Sequence, residues 1–234
     1  MTDHRGRQTA RMPRRARLDC DGQYVHAMNR RVDRSILFPG EQAYRQFASM
    51  IAWAQRETRM EITAWALMPN HWHFILRPQG TRHLSDFMHR LQTVHATEFR
   101  RDSKTSGNGC VYGSRFRGFV IPPDRLLRGV VYVERNPVRA GIVRRAEDWA
   151  HGSAALSGDG LRSPVVVRLP AELERHRRSL LAQPLPEEFE SSFREACMRG
   201  VMRSPASERR SAERVAEALR RVDQTRRQRR AVSV

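Results

Sequence analysis

The sequence predicts an α+β domain of ferredoxin-like type: strands and helices in the order βαββαβ, an antiparallel sheet covered on one face by two helices, with a further helix after the last strand. Three observations predict it. Strand-like runs alternate with amphipathic helical runs through the middle of the chain, two strand runs are separated only by Pro69 and Asn70, and the order closes on a strand followed by a short helix.

The elements follow in order. QYVHAMNR (23 to 30) has strand character, and residues 38 to 57 place Tyr44, Phe47, Ala48, Ile51 and Ala54 at helical spacing. EITAWALM (61 to 68) and HWHFILR (71 to 77) form a hairpin about the Pro69–Asn70 pair. After PQG, residues Leu84, Phe87, Met88, Leu91, Val94 and Phe99 mark a second helix ending near Asp102, and SKTSGNG is loop. RFRGFVIP (115 to 122) reads as the fourth strand, and PDRLLRGVVYVERN as a helix with Asp124 as its N-cap. Three regions are expected: a basic N-terminal arm (1–22), a catalytic domain (23–157), and a basic C-terminal extension (158–234), partly helical or disordered.

Charge narrows the partner. Lys+Arg total 43 against Asp+Glu 25, a net +18, which points to polyanions and nucleic acid first. All the cations but Lys104 are arginine, so genome base composition is a competing explanation. From Val201 onward there are ten Arg against four Asp/Glu, either a nucleic-acid contact or a solvated tail. No apolar run of 18 residues exists, so no membrane span is expected, and the arginine-rich start lacks the apolar stretch of a secretory signal. Cys20, Cys110 and Cys197 lie far apart and form no CxxC pair, which fits a reducing cytoplasm rather than a disulfide framework.

The chemistry begins at MPNHWH. On a strand, His71 and His73 share one face while Trp72, Phe74 and Leu76 share the other. A packed core seldom needs two neighbouring imidazoles, whereas a divalent metal ion does. On the last helix, Leu126, Leu127, Val130, Val131 and Val133 fall on one side, and Arg125, Arg128, Tyr132, Arg135 and Asn136 on the other. Tyr132 therefore points away from the apolar stripe, as a hydroxyl with work outside the core does. Glu134 falls on the apolar side, which the pattern does not explain. Asn136 shares the Tyr132 face, yet Pro137 after it also makes it a turn residue; both readings stand. A phenol with a pKa near 10 needs an electrophile polarised by a cation, and a metal-bound phosphodiester is one.

Other candidates are weaker. His83, His89 and His95 are spaced by six residues, about 120° apart on a helix, and cannot converge on one ion. Tyr24, Tyr44 and Tyr112 read as structural. His26 can reach the site if its strand neighbours HWHFIL.

HAMNRR, MPNHWHFIL, YGSRFRGF and YVERNPVRAGIV followed by AEDWAHGSA together resemble the HUH single-tyrosine transposases, and within them the REP-associated tyrosine transposase branch, over roughly residues 20 to 157. The resemblance implies an endonuclease acting on single-stranded DNA with Mg²⁺ or Mn²⁺. It makes His71 and His73 the paired metal ligands and Tyr132 the nucleophile, forming a 5′-phosphotyrosine and then religating. The implied substrates are REP-like palindromic hairpins in a bacterial cytoplasm, at the nucleoid. Arg30, Arg31, Arg115 and Arg117 of these motifs, with Arg125, Arg128 and Arg135 of the helix, are the candidate DNA contacts. Many relatives place glutamine four residues after the tyrosine as third ligand; here Asn136 holds that place, with Glu134 and His26 in reserve. Monomer and homodimer, with Tyr132 acting in cis or in trans, both remain open.

Two rivals have different chemistry. A non-catalytic single-stranded nucleic-acid binder would display paired aromatics on the open sheet face, where this sequence offers His71, His73, Ile75 and Arg77. A metal-dependent nuclease using activated water would need the histidines and not Tyr132.

Overall fold

The computed structural model describes residues 20–103, 109–157 and 163–202. Most of the expected N-terminal arm, and the extension from residue 203, lie outside the described residues.

Four strands form one sheet: β1 (Val25–Arg30), β2 (Glu61–Met68), β3 (His71–Arg77) and β4 (Arg117–Val120). Their spatial order is β2-β3-β1-β4 and every pairing is antiparallel. Helix α1 (Glu41–Thr58) connects β1 to β2, and α2 (His83–Asp102) connects β3 to β4. This is the predicted βαββαβ arrangement. The hairpin turn at Pro69 and Asn70 is anchored to the loop after β1: Leu37 N–H donates to Pro69 O at 2.7 Å and Arg31 N–H to Asn70 O at 3.1 Å. The start of β3 is thereby fixed beside the end of β1.

Alternation of side chains divides the core in two. Val25, Ala27, Trp65, Leu67, Trp72, Phe74 and Leu76 pack with Phe47, Ile51, Phe87 and Leu91 of α1 and α2. A register irregularity between Ile62 and Ala64 reverses the alternation of β2, so that Ile62 joins this first core and Ala64 the second.

The second face differs from the expectation of an open sheet surface. Helix α3 (Leu126–Glu134) crosses it over β2 and β3, α5 (Ala171–Leu181) packs against α3, and α6 (Glu187–Arg199) packs on β4 beside it. Ala64, Ala66, Ile75 and Phe119 of the sheet form one apolar cluster with Val130, Val131 and Val133 of α3 and with Leu181, Phe189 and Phe193 beyond it. Gly129 makes the close approach possible: a Cβ there would sit 3.3 Å from both Ile121 and Phe193. Most of helix α3 is therefore buried, and part of the polar side of its helical wheel meets later helices.

Two local expectations are corrected. Asp124 caps no helix; Pro123–Arg125 form a 3₁₀ turn and α3 starts at Leu126 without a side-chain cap. Tyr132 does not face solvent: it is 3% exposed and its ring stacks on Phe193. The wheel set Tyr132 apart from the valines of its helix. It could not show that α6, sixty residues further on, covers that side.

Candidate functional site

Strand pairing assembles the histidines. In the register of β1 with β3, Arg30 lies opposite His71, Met28 opposite His73 and His26 opposite Ile75. Side chains at paired positions share a face, so His26, Arg30, His71 and His73 all lie on the α3 side of the sheet. His71 and His73 have ring centroids 4.9 Å apart and nearly perpendicular planes.

Burial disfavours the charged form of both imidazoles. Burial pushes His71 down to about 3, with Arg30 and Arg139 adding to the effect. Burial likewise holds His73 well below the usual histidine range, helped by His71, His26, Arg139 and Arg30. Each uses its Nδ1: His71 Nδ1–H donates to Asn70 Oδ1 at 2.6 Å, and His73 Nδ1 lies 2.9 Å from His26 Nε2. Among the described residues neither Nε2 has a hydrogen-bond partner.

Tyr132 lies between Phe193 and Arg139. Its ring centroid is 4.1 Å from that of Phe193, and the Arg139 guanidinium sits 4.1 Å above the ring. Burial raises the Tyr132 pKa and the Arg139 charge opposes the rise. The same Arg139 charge acts on His71 and His73, so one guanidinium links the tyrosine and the histidine pair. Glu190 of α6 holds it through a 3.2 Å ion pair. Sequence reasoning passed over Arg139, although its position in the YVERNPVRAG motif could have drawn attention.

The remaining candidates are placed as follows. Asn136 opens the short helix α4 (Asn136–Arg139) and its Nδ2 donates to the carbonyls of Tyr132 and Val133, closing the end of α3. Its Oδ1 remains as an acceptor. Glu134 is turned elsewhere: its Oε1 accepts from Arg177 at 2.7 Å and from Ser153 at 2.6 Å, which explains a carboxylate on the apolar side. Arg125 is buried with its guanidinium 5.6 Å from the Phe189 ring, and Arg135 donates to Leu181 O. Arg128 is half-buried on the same helix. Arg31 pairs with Asp33 at 3.2 Å and lies over the Phe99 ring. Arg30 sits 3.5 Å from His71 Nδ1, while Arg115 and Arg117 are exposed at β4. Arg34 and Arg117 both repel the Arg30 charge, so three cations gather at the rim beside His71.

Two bare Nε2 atoms and one amide oxygen are donors that a divalent cation accepts. Among the described residues no group of three or more His, Cys, Asp or Glu is placed to hold a metal ion. The histidine pair therefore offers two nitrogen ligands, and two nearby guanidiniums favour an anionic phosphate as the source of further oxygen ligands.

The arrangement defines a class: a ferredoxin-like sheet carrying a histidine pair, with a tyrosine helix laid across the same face. Residues 20–121 match the family model described as "Transposase IS200 like". The match contains His26, His71 and His73 and ends before Tyr132. Among solved structures, a REP-associated tyrosine transposase bound to a REP hairpin is similar at 24% identity over 68% of this chain and 94% of that one, with a TM-score of 0.49. A transposase-like protein of Deinococcus radiodurans R1 is similar at 13% identity over 48% of this chain and 88% of that one, with a TM-score of 0.37. No curated protein matches the chain. Among the described residues no helix is long and apolar enough to cross a membrane.

Proposed function

We propose that the chain cuts and rejoins single-stranded DNA beside hairpins such as REP-like palindromes. Tyr132 is the nucleophile, and His71 and His73, with Asn136 Oδ1, hold Mg²⁺ or Mn²⁺. What supports this reading is that two imidazoles with unpartnered Nε2 atoms share the sheet face on which α3 packs, and that the charge of Arg139 acts on both of them and on Tyr132.

A cation bound there would polarise a nonbridging phosphate oxygen. The Tyr132 oxygen attacks phosphorus as its proton passes to solvent; the bond to the 3′ oxygen breaks, and that oxygen takes a proton from solvent and leaves as a hydroxyl. The product is a 5′-phosphotyrosine, and attack by a 3′-hydroxyl reverses the step and religates. Arg139 stabilises both the phenolate and the charge building on the phosphoryl oxygens. Arg30 and Arg117 at the rim of β1 and β4 hold the flanking phosphates.

Burial of Tyr132 favours a second reading, in which the histidine pair serves an activated water and the tyrosine is structural. Both readings require the histidines. His71→Ala and His73→Ala should each abolish cleavage of a labelled hairpin with a single-stranded flank, as EDTA should, while binding of the hairpin is retained. Undiminished cleavage by the double substitution in chelator would remove both readings.

A further inference from the structure

Resting on the metal reading above, we propose that His26 is a positioning residue that holds His73 in the tautomer able to bind a metal ion, with Cys197 of α6 at the far end of the chain. His26 is fully buried, 47 residues away from His73 in sequence and 171 from Cys197. Its Nε2 lies 2.9 Å from His73 Nδ1, and its Nδ1 lies 3.8 Å from Cys197 Sγ.

One nitrogen of the His26–His73 contact carries a proton and the other does not, which leaves two arrangements. In the first, His73 Nδ1–H donates to His26 Nε2, and His26 carries its own proton on Nδ1 and donates it to Cys197 Sγ. His73 Nε2 then keeps its lone pair and can ligate. In the second, the Cys197 thiol donates to His26 Nδ1, His26 Nε2–H donates to His73 Nδ1, and His73 is protonated on Nε2. That atom then cannot bind a metal ion. The thiol is both a weak donor and a weak acceptor and suits either arrangement, but in the second the His73 Nε2–H meets no acceptor among the described residues, which favours the first.

The surroundings make the choice durable. The His26 ring lies 5.0 Å from both Phe119 and Phe193, which prevents it from turning away from His73. Asn70 does the same for His71 by accepting its Nδ1 proton, so both rings keep the Nε2 lone pair free. An outer partner on the far ring nitrogen is the usual means by which a protein orients a histidine ligand, and its loss weakens metal binding by about 10- to 100-fold.

The test uses the full chain and Mn²⁺ as the probe. In ¹⁵N-labelled protein without metal, long-range ¹H–¹⁵N spectra should show the His73 proton on Nδ1. His26→Leu, which cannot accept that proton, should bind Mn²⁺ about 10- to 100-fold more weakly. His26→Gln, whose amide oxygen can accept it, should recover most of the affinity. A His73 proton on Nε2 in the wild type overturns the proposal whether or not the Leu variant folds. Mn²⁺ binding that His71→Ala abolishes and His26→Leu leaves unchanged removes the role of His26 alone. A wild type that binds no Mn²⁺ removes the metal reading and this proposal with it.

Discussion

The Tyr132 ring stacks on Phe193 at 4.1 Å with 29° between the planes, so helix α6 covers the residue that carries the proposed chemistry. A phosphodiester cannot reach a phenol buried in this way until α6 shifts. Phe193→Ala should therefore expose Tyr132 to nitration by tetranitromethane and increase adduct formation per folded molecule. The same change removes a fully buried ring and should cost about 3–5 kcal/mol of stability. Continued protection of Tyr132 in the folded variant would show that α6 is not the cover.

The buried pair Glu134–Arg177 ties α3 to α5, and Ser153 donates to the same carboxylate oxygen. Arg177→Met should destabilise the protein by about 3–5 kcal/mol, because it strands a buried carboxylate. Joint replacement by Glu134→Leu and Arg177→Met should cost much less. Burial raises the Glu134 pKa and Arg177 opposes that rise, so the Met variant has a folded-state pKa further above the unfolded value. A raised carboxyl pKa contributes stability below the unfolded value and loses it as pH rises. The defect of Arg177→Met should accordingly be smallest below about pH 4 and grow towards neutrality, as read from urea midpoints. A defect independent of pH would place the carboxylate elsewhere.

Much of this was legible in the sequence for a physical reason: periods of two and 3.6 residues depend on local geometry. The hairpin at Pro69–Asn70 and the common face of His71 and His73 both follow from it. What the sequence hid was contact between distant segments. His26 met His73 only once β1 was known to pair with β3, and Glu134 made sense only with Arg177 beside it. The polar side of α3 looked like a DNA-facing surface because nothing local indicates that Phe189 and Phe193 will cover it. The sequence of the extension from residue 158 predicts a basic segment, partly helical or disordered. Its helices α5 and α6 instead complete the core of the preceding sheet.

Arg30, Arg34 and Arg117 gather beside His71, and mutual repulsion together with burial lowers the Arg30 pKa. Such a cluster is suited to a polyanion. Arg117→Gln should weaken hairpin binding and reduce the slope of log affinity against log salt by about 0.7 to 0.9. Fluorescence anisotropy across a salt series measures it. An unchanged slope would exclude Arg117 from phosphate contact.

The central claim is that Tyr132 becomes covalently attached to DNA. Wild-type protein, a labelled single-stranded substrate with a hairpin, and Mn²⁺ or Mg²⁺ should yield a denaturant-resistant species of protein plus the DNA on the 3′ side of the cut. Mass spectrometry should locate the phosphotyrosine in the RGVVYVER peptide, and Tyr132→Phe, which keeps the ring and its stacking, should bind the hairpin and form no adduct. Cleavage by Tyr132→Phe at the wild-type rate, with no adduct in either protein, would contradict the account and assign the reaction to activated water.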